Sequence, residues 1–200
     1  MQPKNTELGD DINTALERIT DVFHRRSIRY ALIGGIATIL RGRVRLTIDV
    51  DFILDIPQIA LPGLLEELVE NGFELDPLVV IKEYVQQSMT SIRFGSTTID
   101  WLKPILPVYS RTLNEANLTP WSESHQVRTA KPEGLILTKL LAFRAQDKED
   151  IETLLIANRE DIDVSIIRDE WAAFAKLEAE RTAWLEAAIA KHVTPYRSEL

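Results

Sequence analysis

Two aspartates, Asp49 and Asp51, stand two positions apart downstream of a glycine pair at 34–35. An apolar run at 30–33 predicts a strand that ends at the glycines, where backbone N–H groups can approach an anion closely. Residues two apart on a strand share a face, so both carboxylates lie on one side of a second strand. That side also carries Thr47, Arg43 and Arg45. Two carboxylates, a hydroxyl and two guanidiniums are what a magnesium–triphosphate site requires.

The alternative for this face is a half-buried strand with a solvated polar side. However, aspartate is disfavoured in strands and adjacent like charges repel, so two of them there need a compensating cation. A third acid, Asp100, lies in a run at 97–102 that alternates polar and apolar residues. This run follows a predicted strand at 90–94 through a Gly95-Ser96 turn, which indicates a hairpin. If it pairs beside the first two acids, Asp100 is a metal ligand or a general base; otherwise it is a surface aspartate.

The motifs described so far are Gly34-Gly35, the pattern Arg45-x-Thr47-x-Asp49-x-Asp51, and Asp100. Their combination resembles the nucleotidyltransferase fold in its minimal form. The closest likeness is to the AbiEii-type nucleotidyltransferases, many of which are toxins of bacterial toxin–antitoxin pairs. The segment 131–151 resembles that family's Pro-Glu…Lys…Arg…Asp-x-x-Asp block, so the likeness covers about residues 28–155. One departure is Gly35, because many nucleotidyltransferases have a phosphate-contacting serine there; backbone amides or Thr38 would have to serve instead.

The resemblance implies an α/β (α+β) fold, with a mixed sheet flanked by helices and a C-terminal helical extension. Residues 1–130 would form the nucleotidyltransferase core, and 131–200 a helical part packed on it. It also implies Mg²⁺ (or Mn²⁺) held by Asp49, Asp51 and Asp100. Nucleotide contacts would come from Gly34, Gly35, Arg45, Thr47 and Lys139. Lys139 and Asp147 would join the three acids as catalytic residues.

The second block also has a purely structural interpretation. Pro132 suits the first turn of a helix and Glu133 its positive end. Lys139 sits beside an apolar stripe, where a lysine with a buried stem would reach back to solvent. Asp147 and Asp150, three apart before an apolar run, are typical of an N-cap and its partner. The resemblance favours the active site for Lys139 and Asp147, whereas capping or packing is favoured for Asp150.

Three functions compete on this reasoning. The first is a toxin-like enzyme that transfers a nucleotide from an NTP to RNA, as the family likeness implies for a tRNA end, with a cognate antitoxin as partner. The second is a nucleotidyltransferase for a small hydroxylated molecule such as an aminoglycoside. The third is a non-catalytic partner-binding module of the same fold. The three intact aspartates count against the third.

Composition is typical of a cytoplasmic enzyme. The 200 residues suffice for a sizeable core, and the absence of cysteine excludes disulfides and zinc–thiolate sites. Three scattered histidines disfavour a histidine-rich metal centre. No apolar run approaches a membrane span, and the polar start lacks a secretory segment, so we expect no membrane partner. The net charge of −8 counts against a broad nucleic-acid footprint but leaves a local basic site open.

Periodicity predicts the remaining elements. Asp10 or Asp11 would cap a first helix, and a helix follows at 61–72. The segment 73–106 reads as strands, including Val79–Ile81, and 106–124, rich in Pro, Ser, Thr and Asn, as a long loop. A last strand is expected at 127–130. Helices are predicted at 133–146, 148–158 and 164–192, the last with an aromatic stripe for core or oligomer contact.

Overall fold

The computed structural model describes residues 5–42, 47 and 49–193, and for residues 5–10 the backbone alone. Arg45, predicted to contact the nucleotide, lies outside the described residues, as does Arg43. The predicted early part of the second strand, between 44 and 48, falls largely outside them too.

A mixed sheet forms the centre of the described chain. Its strands are β1 (Arg29–Ile33), β2 (Asp49–Asp55), β3 (Met89–Phe94), β4 (Thr97–Leu102), β5 (Asn117–Pro120) and β6 (Gln126–Thr129). They are ordered β3-β4-β2-β1-β6-β5. Strand β2 runs parallel to β4 and antiparallel to β1, while β1 runs parallel to β6. The predicted hairpin is confirmed, because β3 and β4 pair antiparallel across the Gly95-Ser96 turn.

Helices cover both faces of this sheet. They are α1 (Asn5–Arg25), α2 (Gly34–Arg41), α3 (Leu61–Glu70), α4 (Pro77–Gln86), α5 (Pro107–Glu115), α6 (Pro132–Ala142), α7 (Ala145–Ala157), α8 (Val164–Ala175) and α9 (Ala179–His192). The predicted fold class is therefore confirmed: a mixed sheet flanked by helices, with further helices at the C-terminal end. None of the described helices is both long and apolar enough to cross a bilayer.

The face opposite the acids is an aromatic core. Phe52 and Trp101, on neighbouring strands, are fully buried beneath Phe23 of α1. The Phe23 ring centroid lies 5.5 Å from that of Phe52 and 6.2 Å from that of Trp101, both edge to face. Burying such side chains stabilises the fold by roughly 1.5–3 kcal/mol each. Because alternate residues of β2 and β4 are fixed in this core, the residues between them must face the other side.

That other side of the sheet meets three helices. Helix α2 packs on β1 and β2, α5 packs on the same two strands, and α6 packs on both α2 and α5. Helix α6 also contacts α7 and α8. The helical segment after residue 131 therefore lies against the helices that cover the acid-bearing face.

The predicted strand at Val79–Ile81 is wrong, because these residues belong to α4. The Asp76 carboxylate accepts from the backbone N–H of Leu78 at 2.9 Å and of Val79 at 3.3 Å, so it caps the helix. Pro77 occupies the first turn, where its fixed φ favours a helix. This local capping outweighs the strand preference of three β-branched residues in a row.

The predicted long loop at 106–124 is also wrong, because it holds α5 and β5. Pro107 stands in the first turn of α5. One face of that helix is buried through Val108, Thr112 and Leu113. The Thr112 hydroxyl donates to the Val108 carbonyl at 2.8 Å, so its polar group is satisfied within the helix. Tertiary burial of this face thus overrides the polar composition of the segment.

Three helix boundaries differ from the predictions. The segment 164–192 is two helices, α8 and α9, joined by a hydrogen bond from Trp171 Nε1 to Thr182 Oγ1 at 2.9 Å. The break between α6 and α7 falls at Phe143, with φ of 55°, earlier than expected.

Helix α1 begins at Asn5, so neither Asp10 nor Asp11 caps it. Asp11 instead accepts from the backbone N–H and hydroxyl of Ser96, at 3.0 and 2.8 Å. It therefore ties the β3–β4 turn to α1.

Candidate functional site

The three predicted carboxylates meet on adjacent strands of the sheet. Asp51 of β2 is directly opposite Ile33 of β1 on one side and opposite Asp100 of β4 on the other. Neighbouring strands lie about 4.8 Å apart, and partners in register point to the same face. Asp49 shares that face of β2 because it is two residues away. The predicted pairing of the Asp100 strand beside the first two acids is thus found.

The glycine pair packs against the Asp51 carboxylate. Gly34 has φ of +65°, and a Cβ on it would lie 1.9 Å from Asp51 Oδ2, so any other residue would be strained and would displace the Asp51 side chain. Gly34 and Gly35 open α2, whose N-terminal amides carry partial positive charge. The Gly35 N–H, predicted to contact phosphate, donates to the Asp51 carboxylate in this structure. The glycines therefore position the acid as well as opening the cleft.

The surroundings of Asp51 favour its protonated, neutral form. Burial raises its pKa to about 6, and the charges of Asp100 and Asp49 push in the same direction. Lys139 and the Gly35 N–H lower the pKa, but only in part. A carboxyl that is half-buried beside two others is stabilised as a carboxylate by any cation bound there.

The chemistry of these donors fits a hard divalent cation. All are carboxylate oxygens, which Mg²⁺ and Mn²⁺ prefer, and their mutual repulsion is what a cation relieves. In the part of the chain that the structure describes, no three acidic or histidine side chains are already arranged as a metal site. Asp100 Oδ1 accepts from the Ser91 hydroxyl at 2.5 Å, and the remaining lone pairs of the two carboxylate oxygens are sufficient to bind a cation as well.

Lys139 brings a buried cation to the same cleft. Only 6% of its side chain is exposed, so the alternative of a lysine reaching back to solvent is wrong. Its Nζ donates to Asp150 Oδ2 at 2.6 Å and lies 3.9 Å from Asp147 Oδ1. Asp150 is therefore a buried ion-pair partner within α7, consistent with packing and not with capping.

Asp147 combines the two roles between which the sequence left a choice. It accepts from the Arg144 backbone N–H at 3.0 Å and from Arg144 Nε at 2.8 Å, which closes a capping box at the start of α7. It also lines the cleft. The Arg144 side chain is 79% exposed, and the hydrogen bond and charge of Asp147 raise its pKa, with a further contribution from Asp51.

These groups surround a single cleft of about 520 Å³. It is lined by all the described residues that the sequence assigned to the site, namely Gly34, Gly35, Thr47, Asp49, Asp51, Asp100, Lys139 and Asp147. It also contains residues that were not assigned, among them Met89, Leu102, Tyr109, Thr138, Arg144 and Gln146. Arg144 stands in the recognised block and could have been included. Tyr109 carried no signal, because its segment was predicted to be a loop.

No protein-family profile matches the chain, and no curated protein matches it. Among solved structures, it is similar to an antigenic nucleotidyltransferase-like protein from Paracoccidioides brasiliensis. The identity is 18% over 89% of this chain and 93% of that chain, with a TM-score of 0.52. The antibiotic-resistance factor ANT(2'')-Ia matches at 22% identity over 90% of this chain and 91% of that chain, with a TM-score of 0.42. The lincosamide antibiotic adenylyltransferase LnuA matches at 17% over 68% and 91%, with a TM-score of 0.44. The first similarity shows that this chain has a nucleotidyltransferase-like fold.

Proposed function

We propose that this protein is a metal-dependent nucleotidyltransferase that moves a nucleotide from an NTP to a hydroxyl of RNA. The observation that carries the proposal is the register of Asp51 beside Asp100, with Gly34 packed against Asp51. The nucleotidyltransferase-like fold supports the reaction class. The motif resemblance supports the finer identity: an AbiEii-type toxin in the cytoplasm, acting on a tRNA end and restrained by a cognate antitoxin.

In this proposal Asp49 and Asp51 hold Mg²⁺ or Mn²⁺, with Asp100 able to complete the site. The cation supplies charge neutralisation for the triphosphate. The glycine turn would offer backbone amides to phosphate oxygens, with the Gly35 N–H shared with the Asp51 carboxylate, and Thr47 adds a hydroxyl at the cleft wall. Lys139 and Arg144 place positive charge on the wall formed by α6 and α7, with Arg45 as a further predicted contact. The core of 1–130 and the helical part of 131–200 thus both contribute to the site.

The proposed reaction is an in-line displacement. The acceptor oxygen forms a bond to the α-phosphorus while the bond from that phosphorus to the bridging oxygen breaks, and pyrophosphate leaves. The acceptor proton passes to Asp100, whose Ser91 contact keeps its carboxylate in place. Positioning and charge stabilisation provide most of the rate in such transfers.

The test is incubation with each of the four α-³²P-labelled NTPs, Mg²⁺ and total bacterial RNA, analysed on a denaturing gel. We expect one NTP to label a discrete RNA, and the label to vanish with Asp49→Asn or Asp51→Asn. Asp55→Asn is the matched control, because Asp55 ends the same strand with its side chain half exposed, 3.4 Å from Arg29. Labelling that survives Asp51→Asn, or no transfer to RNA by the wild type, would refute the proposal.

A further inference from the structure

An apolar surface lies next to Asp100 on the acid-bearing face. Met89 of the outermost strand β3 is in register with Leu102 of β4, one step beyond the Ser91–Asp100 pair. Partners in register point to the same side, so these two side chains continue the face of Asp100 along the strands, towards the C-terminal end of β4. Met89 is 51% exposed although it is large and apolar. We call these two residues, together with Tyr109, the apolar shelf.

Tyr109 gives the shelf an aromatic ring. It projects from the first turn of α5, is half-buried, and lines the same cleft as Met89 and Leu102. Burial raises the pKa of its phenol, so it stays neutral near pH 7. Among the described residues its hydroxyl has no hydrogen-bond partner. An amphipathic ring of this kind is well suited to stack on a ligand and to bond its edge.

Another part of the cleft lining has a different character. It is formed by α6 and α7 and carries the cations Lys139 and Arg144, together with Gln146 and the carboxylate of Asp147. Positive charge suits the triphosphate of an NTP, whereas the shelf carries no charge. The cleft therefore offers a region with two cations for phosphates and an uncharged region for a planar group, and it also contains Asp49, Asp51 and Asp100.

We infer that the apolar shelf is the subsite for the terminal base of the acceptor RNA, which stacks on Tyr109 while its ribose hydroxyl faces Asp100. This inference rests on the proposed function. Bases of single-stranded RNA are commonly held by stacking on aromatic side chains. An aminoglycoside, by contrast, has no planar aromatic base to stack on Tyr109.

The test compares two 12-nucleotide RNAs that differ only at the 3′ end. One ends in a normal nucleotide, and the other keeps the terminal ribose hydroxyls but lacks the base. We expect Tyr109→Ala to raise the KM for the normal RNA about tenfold and to leave the KM for the abasic RNA within twofold. Tyr109→Phe, which keeps the ring, should recover most of the loss. Leu118→Ala on β5, at the far edge of the sheet, is the control for removing an exposed apolar side chain.

A second variant tests the apolar shelf independently, in case Tyr109→Ala does not fold. Met89→Ala removes an exposed side chain and should raise the same KM about threefold without lowering the melting temperature. Binding of the fluorescent nucleotide mant-ATP with Mg²⁺ should be unchanged in both shelf variants. If the shelf variants changed the KM of both RNAs equally, or of neither, the base subsite would be refuted. The proposed nucleotidyl transfer would not be affected by that result. A wild type that labels an aminoglycoside but no RNA would also refute the base subsite. Failure of the wild type to bind mant-ATP or transfer any nucleotide would instead overturn the proposed function.

Discussion

Replacing Asp51 by asparagine is expected to make the protein more stable at neutral pH. The pKa of Asp51 rises from its ordinary 3.8 to about 6, and each pKa unit corresponds to about 1.4 kcal/mol. Keeping this group ionised in the folded protein therefore costs about 3 kcal/mol. Asparagine keeps an oxygen that accepts from Gly35 and removes the charge that Asp49 and Asp100 repel.

The stability that Asp51→Asn gains over the wild type is expected to increase with pH. Between pH 4 and pH 6 the folded protein holds more protons at Asp51 than the unfolded chain does, so the contribution of Asp51 to the free energy of unfolding falls as the pH rises through this window. The full cost is present above pH 6 and is absent below pH 4. Since 1 kcal/mol shifts the Tm of a protein of this size by about 2–4 °C, Asp51→Asn should melt about 6–12 °C higher at pH 7.5. At pH 4 the two proteins should melt together.

The measurement is thermal unfolding followed by circular dichroism at pH 4, 5, 6 and 7.5, in EDTA so that no cation masks the repulsion. Asp55→Asn is again the matched control and should show no gain that grows between pH 4 and 6. If Asp51→Asn melts at or below the wild type at pH 7.5, the electrostatic reasoning about the site is wrong. The same holds if its gain is equal at pH 4 and pH 7.5.

Three further predictions concern the same cleft. Mg²⁺ should raise the wild-type Tm at pH 7.5 more than at pH 5, because protons compete for Asp51; a shift that persists in Asp51→Asn would place the cation elsewhere. Lys139→Met should destabilise the fold by about 3 kcal/mol, since it removes the 2.6 Å ion pair with the buried Asp150 carboxylate, and adding Asp150→Asn should recover part of this in chemical denaturation. Unchanged stability in Lys139→Met would show that the Lys139–Asp150 pair is energetically neutral. Asp100→Asn should slow single-turnover transfer at least 100-fold and leave the Tm within about 3 °C, whereas wild-type rates would limit Asp100 to a structural role.

The sequence predicted the centre of the site because strand periodicity places Asp49 and Asp51 on one face, whereas Asp100 joined them only on the condition, met in the structure, that its strand pairs beside theirs. Their alternation with Val50, Phe52 and Trp101 leaves only one face for the acids, and the structure has that arrangement. The sequence predicted less well how the residues around the three acids are arranged. The Lys139–Asp150 pair spans a helix break whose position depends on Phe143 adopting a left-handed conformation.

Tyr109 was not predicted as a site residue for a different reason. Composition made 106–124 look like a loop, whereas burial against the sheet turns its first half into α5. Likewise, the helix at Val79–Ile81 depends on one capping carboxylate, that of Asp76, which outweighs three β-branched residues. Tertiary burial and single capping contacts are the features that periodicity does not reveal.

The contact between Gly34 and Asp51 couples two positions that are far apart in the chain. A Cβ at 34 and the carboxylate at 51 would occupy the same space, so a side chain at 34 would force the Asp51 carboxylate out of its present position. The effects of changing both should therefore not add. Alanine at 51 would remove the two closest contacts, at 1.9 and 2.5 Å, but its own Cβ would still lie 2.8 Å from a Cβ at 34, and the cost of the positive φ would remain. Glycine at 34 is thus required both by the acid that we propose to bind the cation and by the backbone, and loss of the acid would relieve only the first part of that constraint.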